Sequence, residues 1–172
     1  MKKLIIVGFV LLVIAYTISA QAGNPFIIEE SGSFVSKVIE GKADLVITSG
    51  KGQGTAQTST QSVIEWGPFL EGLCDGNYGY ESDLVIGRSV IRTVQGLIFA
   101  SFDIGQGTNC FNLTTFIGTI SLEGGVTGGT GFYESATGTI KVTGTVYPVL
   151  FAPGPEVKFG GVELKAELSL NK

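Results

Sequence analysis

The chain has 172 residues, 44% of them hydrophobic, with 11 basic and 15 acidic side chains, no histidine and a net charge of −4. An acidic chain of this kind is not attracted to phosphate backbones or anionic lipid, which argues against nucleic acid as a partner. Without histidine it also lacks the usual base that activates a nucleophile.

The first 22 residues read as a signal peptide. Lys2 and Lys3 precede an apolar run over 4–15 broken only by Gly8, and Tyr16-Thr17 leads into Ala20-Gln21-Ala22, a small-x-small cleavage site. Cleavage is expected after Ala22, with Ala20 as second choice, and no cysteine follows to carry a lipid. An uncleaved anchor is the alternative, because 4–20 is 17 residues long, the short edge of a membrane span. Residues 23–172 are then one domain of 150 residues, large enough to bury a core. Loss of Lys2 and Lys3 takes the basic residues from 11 to 9 against 15 acidic ones, so the net charge becomes −6. The expected location is secreted or periplasmic, with no membrane contact after cleavage.

Strand signals fill the rest of the chain. Less regular candidates lie at 34–39, 44–48 and 54–66, followed by β-rich runs at 84–94 and 96–103. Between them, the Gly- and Thr-rich stretch 49–60 reads as a bend into a polar strand rather than a domain boundary. Phe116, Ile120 and Leu122 share one face of the next run, and Ile140, Val142, Gly144 and Val146 share one face of 139–146. The last run alternates without a break, placing Val162, Leu164, Ala166, Leu168 and Leu170 inward. Gly124-Gly125, Gly128-Gly129-Thr130-Gly131 and Pro153-Gly154-Pro155 are read as the turns between strands. About eight strands at hairpin spacing, with no crossover helix, predict an antiparallel sheet. Closure into an up-and-down barrel would hide its edges, and a β-sandwich is the competing architecture. The 26 glycines favour the closed form, with Gly118, Gly138 and Gly144 on apolar faces where a bulky side chain would crowd a narrow interior.

Few residues invite chemistry. Cys74 and Cys110, an even pair in an exported chain, are expected to form a disulfide. Closing that loop contributes about 3–4 kcal/mol on the chain-entropy view. The rival reading, two free thiols with one nucleophilic, lacks an activating base. The segment 75–83 places oxygen side chains at alternate positions as calcium loops do, but its fifth position is Gly79, its sixth Tyr80, and no glutamate closes it. It is read as a polar turn, and no metal site is assigned. Asn112-Leu113-Thr114 is a glycosylation sequon. Strict alternation along 84–92 puts Arg88 and Arg92 on the side of Leu84, Ile86 and Val90. Inward arginines would need pairing and could hold a carboxylate ligand, whereas a bulge near Gly87 would turn both to solvent. Glu163 and Glu167 flank Lys165 as on a solvated strand face, and Trp66, Phe69, Phe99, Phe102, Phe116 and Phe132 are assigned to the core. No cofactor fingerprint is present and no cofactor is expected.

The block 128–139, Gly-Gly-Thr-Gly-Phe-Tyr-Glu-Ser-Ala-Thr-Gly-Thr, resembles the Gly-Gly-Thr-Gly-x-aromatic…Ala-x-Gly signature of allene oxide cyclase and dirigent-protein barrels, and of exported bacterial proteins that share it. In this block Phe132 directly follows Gly131, and Tyr133 falls where the signature aromatic stands. The Gly-x-Gly-Thr element at 52–55 also resembles those bacterial proteins, and the order of elements matches over 44–146. The resemblance implies an eight-stranded barrel with an apolar interior, often trimeric, in which Tyr133 and Ala136 pack inward. It carries over no active-site residue, because the motif is structural. Three functions follow: a module binding an apolar small molecule or a protein partner; a cyclase- or dirigent-like isomerase; or a non-catalytic envelope or surface protein. A hollow interior of several hundred Å³ would favour binding or catalysis, and a filled one a structural role.

Overall fold

Alternation of apolar and polar side chains commits the chain to β structure almost throughout. The computed structural model describes residues 25–39, 42–53, 58–148 and 157–171, without the side chains of 37–53, 157 and 158. The segment 1–22, expected to be a signal peptide, residues 54–57 and the Pro-Gly-Pro segment lie outside the described residues. Ten strands follow in order: β1 (Phe26–Ile39), β2 (Lys42–Gln53), β3 (Ser59–Trp66), β4 (Leu70–Cys74), β5 (Asn77–Thr93), β6 (Gly96–Phe102), β7 (Gly107–Asn112), β8 (Ile117–Gly129), β9 (Thr137–Pro148) and β10 (Val157–Asn171). A single 3₁₀ turn, Gly131–Tyr133, separates β8 from β9.

All pairings are antiparallel, and the sheet runs β3-β2-β1-β10-β9-β8-β6-β5-β4. β3 also pairs with β5, which brings the path back on itself as a partial ring. Among the described residues there are ten strands where about eight were expected, because β5, at 17 residues, is flanked by two successive strands on each side. On one side β3 meets Leu84–Arg92 and β4 meets Asn77–Glu81; on the other, β6 meets Gly87–Thr93 and β7 meets Gly79–Asp83. Backbone contacts carry the chain across these breaks: Gly67 N–H donates to Asp83 O at 2.8 Å, and Gly105 N–H to Leu84 O at 3.1 Å.

The core lies on one side of the sheet, built on Trp66, Leu84, Ile98, Phe102, Leu122 and Leu168, all 2% exposed or less. The inward faces expected for β9 and β10 hold: Ile140, Val142, Val162 and Leu168 are buried, and Leu164, Ala166 and Leu170 pack against the cluster. Phe102 shows why glycine recurs here. It stands opposite Gly87 on β5, and a Cβ at Gly87 would lie 3.0 Å from its ring. On its other side, a Cβ at Gly124 would run into Ser101 O and sit 3.0 Å from Phe102 Cε1. Two bare backbones thus make room for one large ring.

Two readings need correction. Gly124-Gly125 and Gly128-Gly129 are not turns but interior and terminal residues of β8: Gly124 and Gly129 answer close approaches of Ser101 O and Leu97 O, and Gly128, at φ 135°, lies at the register shift between β8 and β6. Phe116 does not share a face with Ile120 and Leu122. It closes the β7–β8 turn at φ 57°, and that left-handed residue breaks the alternation and leaves Phe116 57% exposed. Phe132 is exposed as well.

Candidate functional site

The core-facing side carries a polar stripe. On β1 the inward positions include Ile28, Glu30 and Phe34; on β3 they include Thr60, Ser62 and Ile64; on β5 they include Ser89 and Ile91. Glu30 is only 7% exposed, and Thr60 Oγ1 donates to its Oε1 at 2.6 Å. The Ser62 and Ser89 hydroxyls hydrogen-bond each other at 2.5 Å. These four side chains line a cavity of about 30 Å³ that is otherwise walled by apolar groups such as Phe102, Ile120 and Leu164. A carboxyl group is costly in such surroundings unless it is hydrogen-bonded, which makes the Thr60 contact obligatory. The stripe was not read from the sequence. The available signal was parity: Ser62 lies at even spacing from Ile64 and Trp66, and Glu30 from Ile28 and Phe34.

Arg88 and Arg92 lie elsewhere. Trp66 pairs with Leu84 and Glu65 with Ile86, so Val85 is an extra residue on β5, a bulge that reverses the alternation. Leu84 therefore faces inward while Ile86, Arg88, Val90 and Arg92 face out. The bulge sits two residues before Gly87. Arg88 Nη1 donates to Gly87 O at 2.6 Å and lies 3.7 Å from the exposed Asp103 carboxylate. Neither arginine reaches the internal cavity, which corrects the inward alternative for a ligand site.

The half of β5 nearest its start forms a lobe with β4 and β7, closed by the Cys74–Cys110 disulfide, with Cα atoms 5.6 Å apart. Gly79 lies under the bridge, where a Cβ would be 3.0 Å from Cys74 Sγ and would clash with Phe111 O. Asp75 and Gly76, at φ 52° and 78°, form the two-residue turn joining β4 to β5. The alternating oxygens of 77–83 therefore lie along a strand rather than wrapping a cation. The carbonyl and amide of Asn112 are both engaged: Oδ1 accepts from Thr114 and Thr115 N–H at 2.8 and 3.1 Å, and Nδ2 donates to Cys74 O at 3.1 Å. That nitrogen would have to carry a glycan. It is buried and used, so the folded lobe does not present the sequon as a modification site.

The outer face carries a second, open concavity. A groove of about 600 Å³ crosses β1, β10, β9 and β8, bordered by Glu29, Ser31, Thr119, Thr143, Thr145, Glu163 and Lys165. Tyr147 OH donates to Glu163 at 3.2 Å, and Lys165 pairs with Glu167 at 2.7 Å. The hydrogen bond from Lys165 holds the Glu167 carboxyl below its ordinary value, and Glu167 in turn raises Lys165. Elsewhere the outer face exposes apolar groups, among them Val35, Val63, Ile86, Val90 and Phe159.

The block 128–139 closes one end of the β8–β9 connection. Thr130 N–H donates to Leu97 O at 2.9 Å, Phe132 N–H to Gln95 O at 3.1 Å, and Ala136 N–H to Tyr133 O at 3.0 Å. Tyr133 and Ala136 are buried in the core cluster. Among the described residues no helix is long and apolar enough to cross a membrane. No family model matches the chain, and no curated protein matches it.

Proposed function

We propose that this chain is an exported protein whose strands close into an eight-position barrel of the allene oxide cyclase and dirigent type, acting as a rigid, non-catalytic module that binds a protein partner through its outer surface. The observation that carries this reading is how narrow the internal cavity beside Glu30 is among the described residues. At about 30 Å³ it is an order of magnitude short of the roughly 300–1,000 Å³ that enclose a small organic ligand. An apolar small molecule inside the barrel is therefore the less favoured form of binding, whereas exposed apolar groups such as Val63, Ile86 and Leu73 suit contact with another protein. The partial ring of antiparallel pairings supports closure, and the disulfide supports an oxidising compartment.

Photocrosslinking side chains placed at Val63 and at Leu73, in protein produced by its own host, test the reading. A protein adduct is expected, and native mass spectrometry of the purified chain separates a second copy, including the trimer the resemblance implies, from a different partner. A stoichiometric small molecule with no protein adduct would overturn it.

One observation favours a second reading, an isomerase or cyclase related to the same barrels: the buried Glu30 carboxyl beside Thr60, Ser62 and Ser89. If that site does chemistry, Glu30→Gln abolishes turnover while leaving the melting temperature nearly unchanged.

A further inference from the structure

The β4 strand is the end of the sheet path, and among the described residues it pairs only with β5. Its hydrogen-bonding phase follows from the hairpin. Cys74 and Asn77 flank a two-residue turn with both φ values positive, so they form a hydrogen-bonded pair, as do Gly72 with Gly79 and Leu70 with Glu81. The opposite side of β5 agrees, because the alternate residue Tyr78 turns its carbonyl toward Leu113 N–H, at 3.1 Å. Glu71 and Leu73 therefore direct their backbone N–H and C=O groups away from β5. Leu73 O lies 3.9 Å from Cys110 Sγ, a disulfide sulfur with no proton to donate. Among the described residues the Glu71 groups and the Leu73 N–H have no strand beside them and form a template.

Each face of this edge carries one apolar and one acidic group. Leu70 lies beside Glu81, whose carboxylate reaches over Gly72, 3.2 Å from where a Cβ would stand. Leu73 shares the other face with Glu71, which accepts a hydrogen bond from Tyr78. Leu70 and Leu73 are each 68% exposed. Across the lobe, Glu71, Asp75, Glu81 and Asp83 are all exposed, β4, β7 and the first seven residues of β5 contain no Lys or Arg, and none of the four acids has an ion pair among the described residues. The disulfide and the Asn112–Cys74 hydrogen bond fix the hairpin in advance, which lowers the entropy lost on docking.

We infer that the β4 edge is a docking site for an extended, basic segment of a partner protein, which adds as a strand beside Glu71 and Leu73 and sets Lys or Arg side chains against Glu71 and Glu81. Backbone hydrogen bonds supply the affinity of such strand addition and the flanking side chains its selectivity. A second copy of β4 is the poorer occupant, since it brings the same carboxylates to the same edge. The inference rests on the proposed binding role and names the surface and the chemistry of its partner.

The test uses the intact, oxidised protein and a capped peptide of repeating Val-Lys-Lys-Val, which presents one basic and one apolar residue to each face, with Val-Glu-Glu-Val repeats as control. Amide NMR should show the Glu71 and Leu73 signals shifting and their hydrogen exchange slowing on addition of the basic peptide alone. Glu71→Lys and Glu81→Lys, both surface changes, should each weaken binding by about tenfold, the scale of a lost charge pair at a desolvating edge. Equal binding of the acidic peptide would overturn the inference, as would shifts confined to β3, β5 and β6, or no binding by either peptide. Protection of the same amides with rising protein concentration and no peptide would also overturn it, by making a second copy the occupant. All these outcomes leave the crosslinking result at Val63 to judge the broader binding role separately.

Discussion

Phe102 offers the most direct check on the packing described above. It is 1% exposed and spans two positions that have no side chain of their own, Gly87 and Gly124. Truncation to alanine should cost about 4 kcal/mol, in the upper half of the range for buried Phe→Ala, because the two backbone positions that flank the ring have no side chain to move into the space. The cause can be isolated through Gly87. The atoms nearest a Cβ there all belong to Phe102, at 3.0, 3.2 and 3.5 Å, and Gly87 does not have the positive φ that would strain alanine. Gly87→Ala alone should therefore cost about 1 kcal/mol by overpacking. In the Phe102→Ala background the ring contacts at 3.0 and 3.5 Å are gone and only the retained Cβ at 3.2 Å remains, so the same methyl, which also reduces the freedom of the unfolded chain, should be close to neutral. The two changes should thus couple by roughly 1 kcal/mol. Urea unfolding of the four oxidised proteins measures it. Additive effects, or a Phe102→Ala cost below about 1.5 kcal/mol, would refute the idea that glycine is present to seat this ring.

Other consequences can be checked in the same assay. Reducing the Cys74–Cys110 bridge, or replacing both cysteines with serine, should lower stability by about 4 kcal/mol through the freed loop, and an unchanged urea midpoint would contradict this. Asn112→Ala leaves Cys74 O and two turn amides without their partner and should cost about 2–3 kcal/mol, whereas a neutral result would mean the lobe does not depend on that side chain. Glu30→Ala strands the Thr60 hydroxyl in an apolar cavity and should cost about 1–3 kcal/mol, while Glu30→Gln retains an acceptor and should cost much less. The Lys165–Glu167 pair makes a pH prediction. A carboxyl lowered in the folded state contributes above its unfolded value and loses that contribution as pH falls through the folded one; a raised lysine contributes below its unfolded value and loses it as pH rises through the folded one. Both groups are on the surface, so the readout is the titration itself. Carbon-detected NMR should find Glu167 titrating low, returning to the ordinary range in Lys165→Met, and no change on that substitution would count against the pairing.

Local pattern was enough to identify an all-β, antiparallel chain, the inward faces of β9 and β10, the pairing of Cys74 with Cys110, and the inward packing of Tyr133 and Ala136. Each depends on alternation, cysteine count or motif, which nearby residues carry. What only the tertiary structure decided was whatever depends on a partner strand. The Val85 bulge sends Arg88 and Arg92 outward because register is set by β3, and a single extra residue inverts every side chain beyond it. Gly124 serves a close approach rather than a turn because its neighbour is Phe102, a fact absent from its own segment. Parity alone puts Glu30 and Ser62 on the apolar faces of their own strands, but only the meeting of β1, β3 and β5 brings them together with Thr60 and Ser89 and buries all four. Sequence periodicity states that a strand has two faces; the strands packed against it decide which face is inside.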